Sequence, residues 1–75
     1  MFTKPDLMPG DRIRLDAAET SRAIAHLGGD GADLIVTDLM DRARYRRPDH
    51  VGIKRSGAGL ALGVPVASII SRSRP

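Results

Sequence analysis

Residues 13–40 constrain this chain most, because they read as strand, helix, strand in one short run. Arg12 and Arg14 alternate with Ile13 and Leu15, a period of two that suits a short strand with one apolar and one charged face. Asp16 then stands where a helix N-cap belongs, and Glu19 three residues later completes a capping-box pattern. Ala17, Ala18, Ala23, Ile24 and Leu27 recur at helical spacing, and Gly28-Gly29 supplies a stop, since glycine accepts the left-handed conformation that helix ends use.

The next segment has two readings. Leu34-Ile35-Val36 between Asp33 and Thr37-Asp38 suits a short buried strand. Ile35, Leu39 and Ala43, with Val36 and Met40 beside them, suit a helical stripe equally well. Beyond it, Val51 and Ile53 alternate with Gly52 and Lys54, and Leu60, Leu62, Val64 and Val66 alternate in turn. The turn-like residues 54–59 between them predict a hairpin; a short helix over 58–62 followed by a strand over 64–70 is the competing reading. The expected fold is α/β or α+β: a small single domain over 11–70 with a β-α-β start and a C-terminal strand or hairpin. Residues 1–10, with Pro5, Pro9 and Gly10, read as an N-terminal arm, and 71–75 as a flexible tail.

Seventy-five residues bound this to one domain, with a thin core. Phe2 and Tyr45 are the only aromatic residues, so Leu, Ile, Val, Met and Ala must fill the interior. There is no cysteine, which removes disulfides and thiolate metal sites, and His26 and His50 are far apart. Small domains without such staples gain stability by association, so a homo-oligomer or a place in a larger assembly is expected. Residues 56–71 are uncharged but shorter than the roughly 20 residues of a spanning helix and are interrupted by Pro65 and glycines, so no membrane span is expected. Without cysteine or a targeting segment, the expected location is the cytoplasm, or a particle assembled there.

The net charge is +3, and its densest positive segment is Arg42, Arg44, Arg46 and Arg47 around Tyr45, ended by Pro48. Arginine forks match phosphate geometry, and an aromatic ring can stack on a base. With Lys54 and Arg55, these residues form the expected contact set for an anionic partner, nucleic acid or an acidic protein surface. The same segment also reads as a solvated loop or helix end. Asp38, near Asp33 and Asp41, reads as a strand-end or cap residue rather than an acidic site. Gly57, Gly59 and Gly63 read as a turn, since their spacing misses the dinucleotide fingerprint by one residue.

Two families resemble parts of the chain. Residues 17–40 look like the middle of a response-regulator receiver domain, with Ala23, Ile24 and Leu27 at the apolar positions of its second helix. Asp38 then falls at the phosphate-accepting position that ends its third strand. Val64-Pro65-Val66 and Ile69-Ile70-Ser71, within 64–71, are similar to its fourth strand. The acidic pair, the Met-Pro step and the lysine of that family have no counterparts. The resemblance therefore implies α/β structure, or a degenerate receiver-like signalling module, without phosphoryl transfer. Residues 12–47 resemble a ribbon-helix-helix DNA-binding domain, which would aim Arg12 and Arg14 at a major groove and place residues 28–35 at the turn into a second helix.

No catalytic, cofactor or metal residues are expected, because a chain this small offers little room for a cleft. The expected function is a non-enzymatic binding module for an anionic partner. The alternative is a structural or accessory subunit of a large assembly, docking through residues 58–70.

Overall fold

In the computed structural model, residues 2–29, 33–40, 47–57 and 59–74 are described. The chain forms β1 (Arg12–Leu15), α1 (Ala17–Leu27), β2 (Leu34–Asp38), β3 (His50–Arg55), β4 (Ala61–Pro65) and β5 (Ile69–Ser73). Short 3-10 turns occupy Lys4–Asp6 and Val66–Ser68. The strands make one five-stranded sheet in the order β4-β3-β2-β1-β5, with all neighbours antiparallel. This is an α+β domain. β1 and β2 flank a helix yet run antiparallel, so the β-α-β start is not the parallel crossover unit of a receiver-like α/β sheet. Residues 34–38 form a strand where the ribbon-helix-helix pattern places the end of a turn and the start of a second helix.

The sheet cannot be flat. Its two edge strands, β4 and β5, lie four spacings apart, about 19 Å in a flat sheet. Only Val66–Ser68 joins them, in a 3-10 turn rising roughly 2 Å per residue. The edges must therefore curl towards each other. α1 confirms the curl by packing on both β4 and β1, which are not neighbours in the sheet.

Alternation sets what the curl encloses. Ile13 and Leu15, Leu34 and Val36, Val51 and Ile53, and Val64 point inward and are buried. Leu7, Ala23, Val66 and Ile69 complete a core that holds no aromatic residue among those described; Phe2, Leu27, Leu39 and Leu62 pack at its margin. The β-branched residues that left 34–38 ambiguous become a strand because Val36 pairs with Ile53 and Leu34 with Arg55, a ladder that no local helix offers.

Asp16 caps α1 as expected, its Oδ1 accepting the Glu19 N–H at 2.9 Å, and Gly28 ends the helix at φ 78°. The reciprocal half of the capping box does not form. The Asp16 N–H donates instead to the Ser68 carbonyl at 2.8 Å, while Glu19 pairs with Arg22 at 2.9 Å.

Both chain ends differ from their expected roles as arm and tail. Leu7 of the arm is buried, and Pro9-Gly10 makes a turn, with Gly10 at φ 95° and the Asp11 N–H donating to Met8 O at 3.0 Å. Gly10 and Asp11 then both bond to Val36, which continues the β1–β2 ladder. Ser71 and Ser73 belong to β5, paired with Arg14 and Arg12, so the supposed tail supplies the fifth strand. The hairpin reading holds, with strands at His50–Arg55 and Ala61–Pro65 and Gly57 at φ 81° between them, while Leu60 and Val66 fall outside the second strand. Among the described residues, no helix is long and apolar enough to cross a membrane.

Candidate anion-binding face

β1 lies between β2 and β5, so its outward side chains sit in the middle of a surface rather than on a rim. Because Ile13 and Leu15 are drawn into the core, Arg12 and Arg14 must face water. Directly opposed residues share a face. Arg12 pairs with Ser73 on one side and Ile35 on the other, and Ile35 pairs with Lys54. The outer face therefore carries a row Ser73, Arg12, Ile35, Lys54, with Arg14 and Ser71 opposed one step along.

A shallow groove of about 460 Å³ runs over this region, lined by Arg12, Arg14, Asp33, Ser71, Arg72 and Ser73 among others. Arg12 Nη1 contacts Asp33 Oδ1 at 3.3 Å. Both side chains are largely exposed, 61% and 65%, so this pair contributes at most about 1 kcal/mol and exchanges readily with another anion. Asp33 is held at φ 55°, a left-handed conformation that aspartate tolerates better than most residues.

Arg72 pairs with Ile13, the core-facing residue of β1. Its guanidinium carbon lies 5.7 Å from the centroid of the Phe2 ring, within cation–π range. Its Nε is enclosed and has no hydrogen-bond partner among the described residues. A charge turned inward on an edge strand also discourages strand-to-strand aggregation.

Of the site residues expected from sequence, Arg42, Arg44, Tyr45 and Arg46 lie outside the described residues. Arg47 is exposed ahead of β3, its N–H donating to Met40 O at 3.0 Å. Lys54 stands on the outer face. Arg55, although next in sequence, is half-buried and packs against Gly29, where a Cβ would meet its Nη1 at 2.5 Å. Lys54 and Arg55 therefore do not act on one surface, and Arg47 lies beyond the other end of β3 from both. The contact set omitted Arg12 and Arg14, although the alternation in β1 carried the signal for them. Ser71 and Ser73 had no local signal, because only pairing with β1 makes them a strand.

Asp38 takes the strand-end role expected of it, and Asp41 lies outside the described residues. Asp38 Oδ1 accepts the Met40 N–H at 2.9 Å, which is a turn bond at the end of β2. His26 is exposed in the last turn of α1 and His50 opens β3. Among the described residues, no three His, Asp or Glu side chains gather to hold a metal ion. A second groove of about 410 Å³, lined by Phe2, Pro5, Pro48, Pro65 and Val66 among others, is more apolar and shares no residue with the first.

Comparison of the chain with family models, with curated proteins and with solved structures finds no match.

Proposed function

We propose that this protein is a small non-enzymatic binding module that contacts an anionic partner, nucleic acid or an acidic protein surface, through its basic side chains. The observation that carries the reading is the outer face of β1: Arg12 and Arg14 project from an interior strand of the sheet, and Lys54 lies two strands away on the same face. The sheet fixes where these side chains start, and each arginine or lysine ordered on binding still costs about 0.5–1.5 kcal/mol. His26 and His50 line neither groove, which leaves the grooves without a histidine base. The module is proposed to act in the cytoplasm or in a particle assembled there, as a homo-oligomer or part of a larger assembly.

The test is binding of labelled nucleic acid and of polyglutamate at two salt concentrations. Wild type should bind one of them at low salt and weaken steeply as salt rises. An Arg12→Gln, Arg14→Gln, Lys54→Gln triple variant should bind at least tenfold more weakly while unfolding at the same temperature. Absence of binding to either polyanion at low salt defeats the reading.

A second reading, docking through residues 58–70 as a subunit of an assembly, is favoured by Leu60 and Ile70, which are 67% and 62% exposed. Val64, Val66 and Ile69 of the same segment are committed to the protein's own core, so docking would rest on those two side chains. Light scattering of wild type and of a Leu60→Ser, Ile70→Ser variant decides it: a mass that falls in the variant supports docking, and equal masses remove it.

A further inference from the structure

We infer that the outer face of β1 and β5 binds the sugar–phosphate backbone of nucleic acid without reading sequence, at two subsites, Arg12 with Ser73 and Arg14 with Ser71. The inference rests on the anionic-partner reading and names the partner and the contact atoms. Each subsite is one register step of the β1–β5 ladder and combines a guanidinium with a hydroxyl on the same face. All four side chains are exposed. Phosphate oxygens accept from both donor types, and arginine, lysine, serine and threonine are the side chains that position nucleic-acid backbones. Two residues along a strand advance about 6.8 Å, a step that one sugar–phosphate repeat spans. Lys54, in line with the Arg12 subsite across Ile35, extends the positive track over the sheet.

One feature chooses a nucleic acid over an acidic peptide, and a second chooses its backbone over its bases. Arg12 already holds a carboxylate, that of Asp33. A peptide carboxylate would replace like with like, with little net gain, whereas a polyphosphate adds the entropy of its released counterions. Among the described residues no aromatic side chain projects from the Arg12–Ile35–Lys54 row, so what this row offers is donors for backbone phosphates rather than a platform for bases.

The experiment measures binding of the full chain to a fluorescein-labelled single-stranded oligonucleotide, to a second oligonucleotide of unrelated sequence, and to polyglutamate, over a salt series. Both oligonucleotides should bind equally well and more tightly than polyglutamate. Arg12→Gln and Arg14→Gln should each reduce the salt slope by about 0.7. A Ser71→Ala, Ser73→Ala variant should bind several-fold more weakly with the slope unchanged. Thermal unfolding of each variant at the wild-type temperature confirms that folding is not the cause. Three outcomes overturn the inference: polyglutamate binding as tightly as the oligonucleotides, oligonucleotide affinity indifferent to the serines, or loss of binding only when Arg42, Arg44, Arg46 and Arg47 are replaced. Each of these leaves the anionic-partner reading standing, whereas no binding to any polyanion at low salt sinks both.

Discussion

Arg74 reaches back 63 positions to Asp11: its Nε donates to Asp11 Oδ1 at 3.1 Å, and its Nη2 donates to the Asp6 carbonyl at 2.9 Å. Asp11 is 2% exposed and its second oxygen accepts the Met8 N–H at 2.8 Å, so one buried carboxylate joins the residue after β5 to the turn before β1. Both ends of the sequence are thereby tied to one side of the sheet.

That clamp predicts an unequal pair of mutations. Asp11→Ala removes the acceptor for two donors and should cost about 2–3 kcal/mol. Arg74→Ala leaves the carboxylate buried with the Met8 N–H still in place, and Arg74 is 44% exposed, so water screens part of the loss. About 1–2 kcal/mol is expected for it. Urea unfolding with unchanged m-values measures both. An Arg74→Ala midpoint equal to wild type would show that the ion pair does not hold the ends.

The start of α1 gives a second asymmetry. Asp16→Ala removes the only half of the capping box that forms and should cost about 1 kcal/mol. Glu19→Gln should stay within about 0.5 kcal/mol, because Glu19 bonds Arg22 rather than the Asp16 N–H. Equal losses from the two in a denaturant titration would restore the full box and contradict the Asp16–Ser68 bond.

Gly52 and Gly63 face each other across β3 and β4, yet they should tolerate alanine differently. A Cβ on Gly52 would lie 3.0 Å from Thr37 Oγ1 and 3.5 Å from Asp38 O, against the bulged end of β2. A Cβ on Gly63 would meet Met40 Sδ at 3.5 Å, an ordinary contact. Gly52→Ala should therefore destabilise by about 1–2 kcal/mol and Gly63→Ala by less than about 0.5. Thermal melts of the two variants should separate by several degrees in that order.

Asp6 carries the pH prediction. The Thr3 N–H, at 2.8 Å, and the Thr3 hydroxyl, at 2.9 Å, both donate to Asp6 Oδ2 and hold its carboxyl below the ordinary aspartate range. A folded value below the unfolded one stabilises the Lys4–Asp6 turn fully above the ordinary range, and that contribution is lost as pH falls through the depressed value. An NMR titration of the Asp6 carboxyl carbon should give a value below that of an unperturbed aspartate. Thr3→Ala should move it part of the way back, since the backbone bond remains. A wild-type value at or above the ordinary one would remove the effect.

The sequence by itself determined the elements whose causes are local. α1 is written in Asp16, the spacing of Ala23 and Leu27, and Gly28, because capping, periodicity and a left-handed stop act within a few residues. The facing of β1 is written in Arg12-Ile13-Arg14-Leu15, and the hairpin in the alternation on either side of Gly57. What only the tertiary structure decided involves partners distant in sequence. Leu34–Asp38 is a strand because Ile53 and Lys54 lie beside it, and Ile69–Ser73 is a strand because β1 has an open side. The candidate site follows the same division. The outward arginines of β1 can be read from alternation alone, but their serine partners on β5 and Lys54 on β3 join them only through register. The separation of Lys54 from Arg55 is likewise a property of the pleat, which sends consecutive side chains to opposite faces.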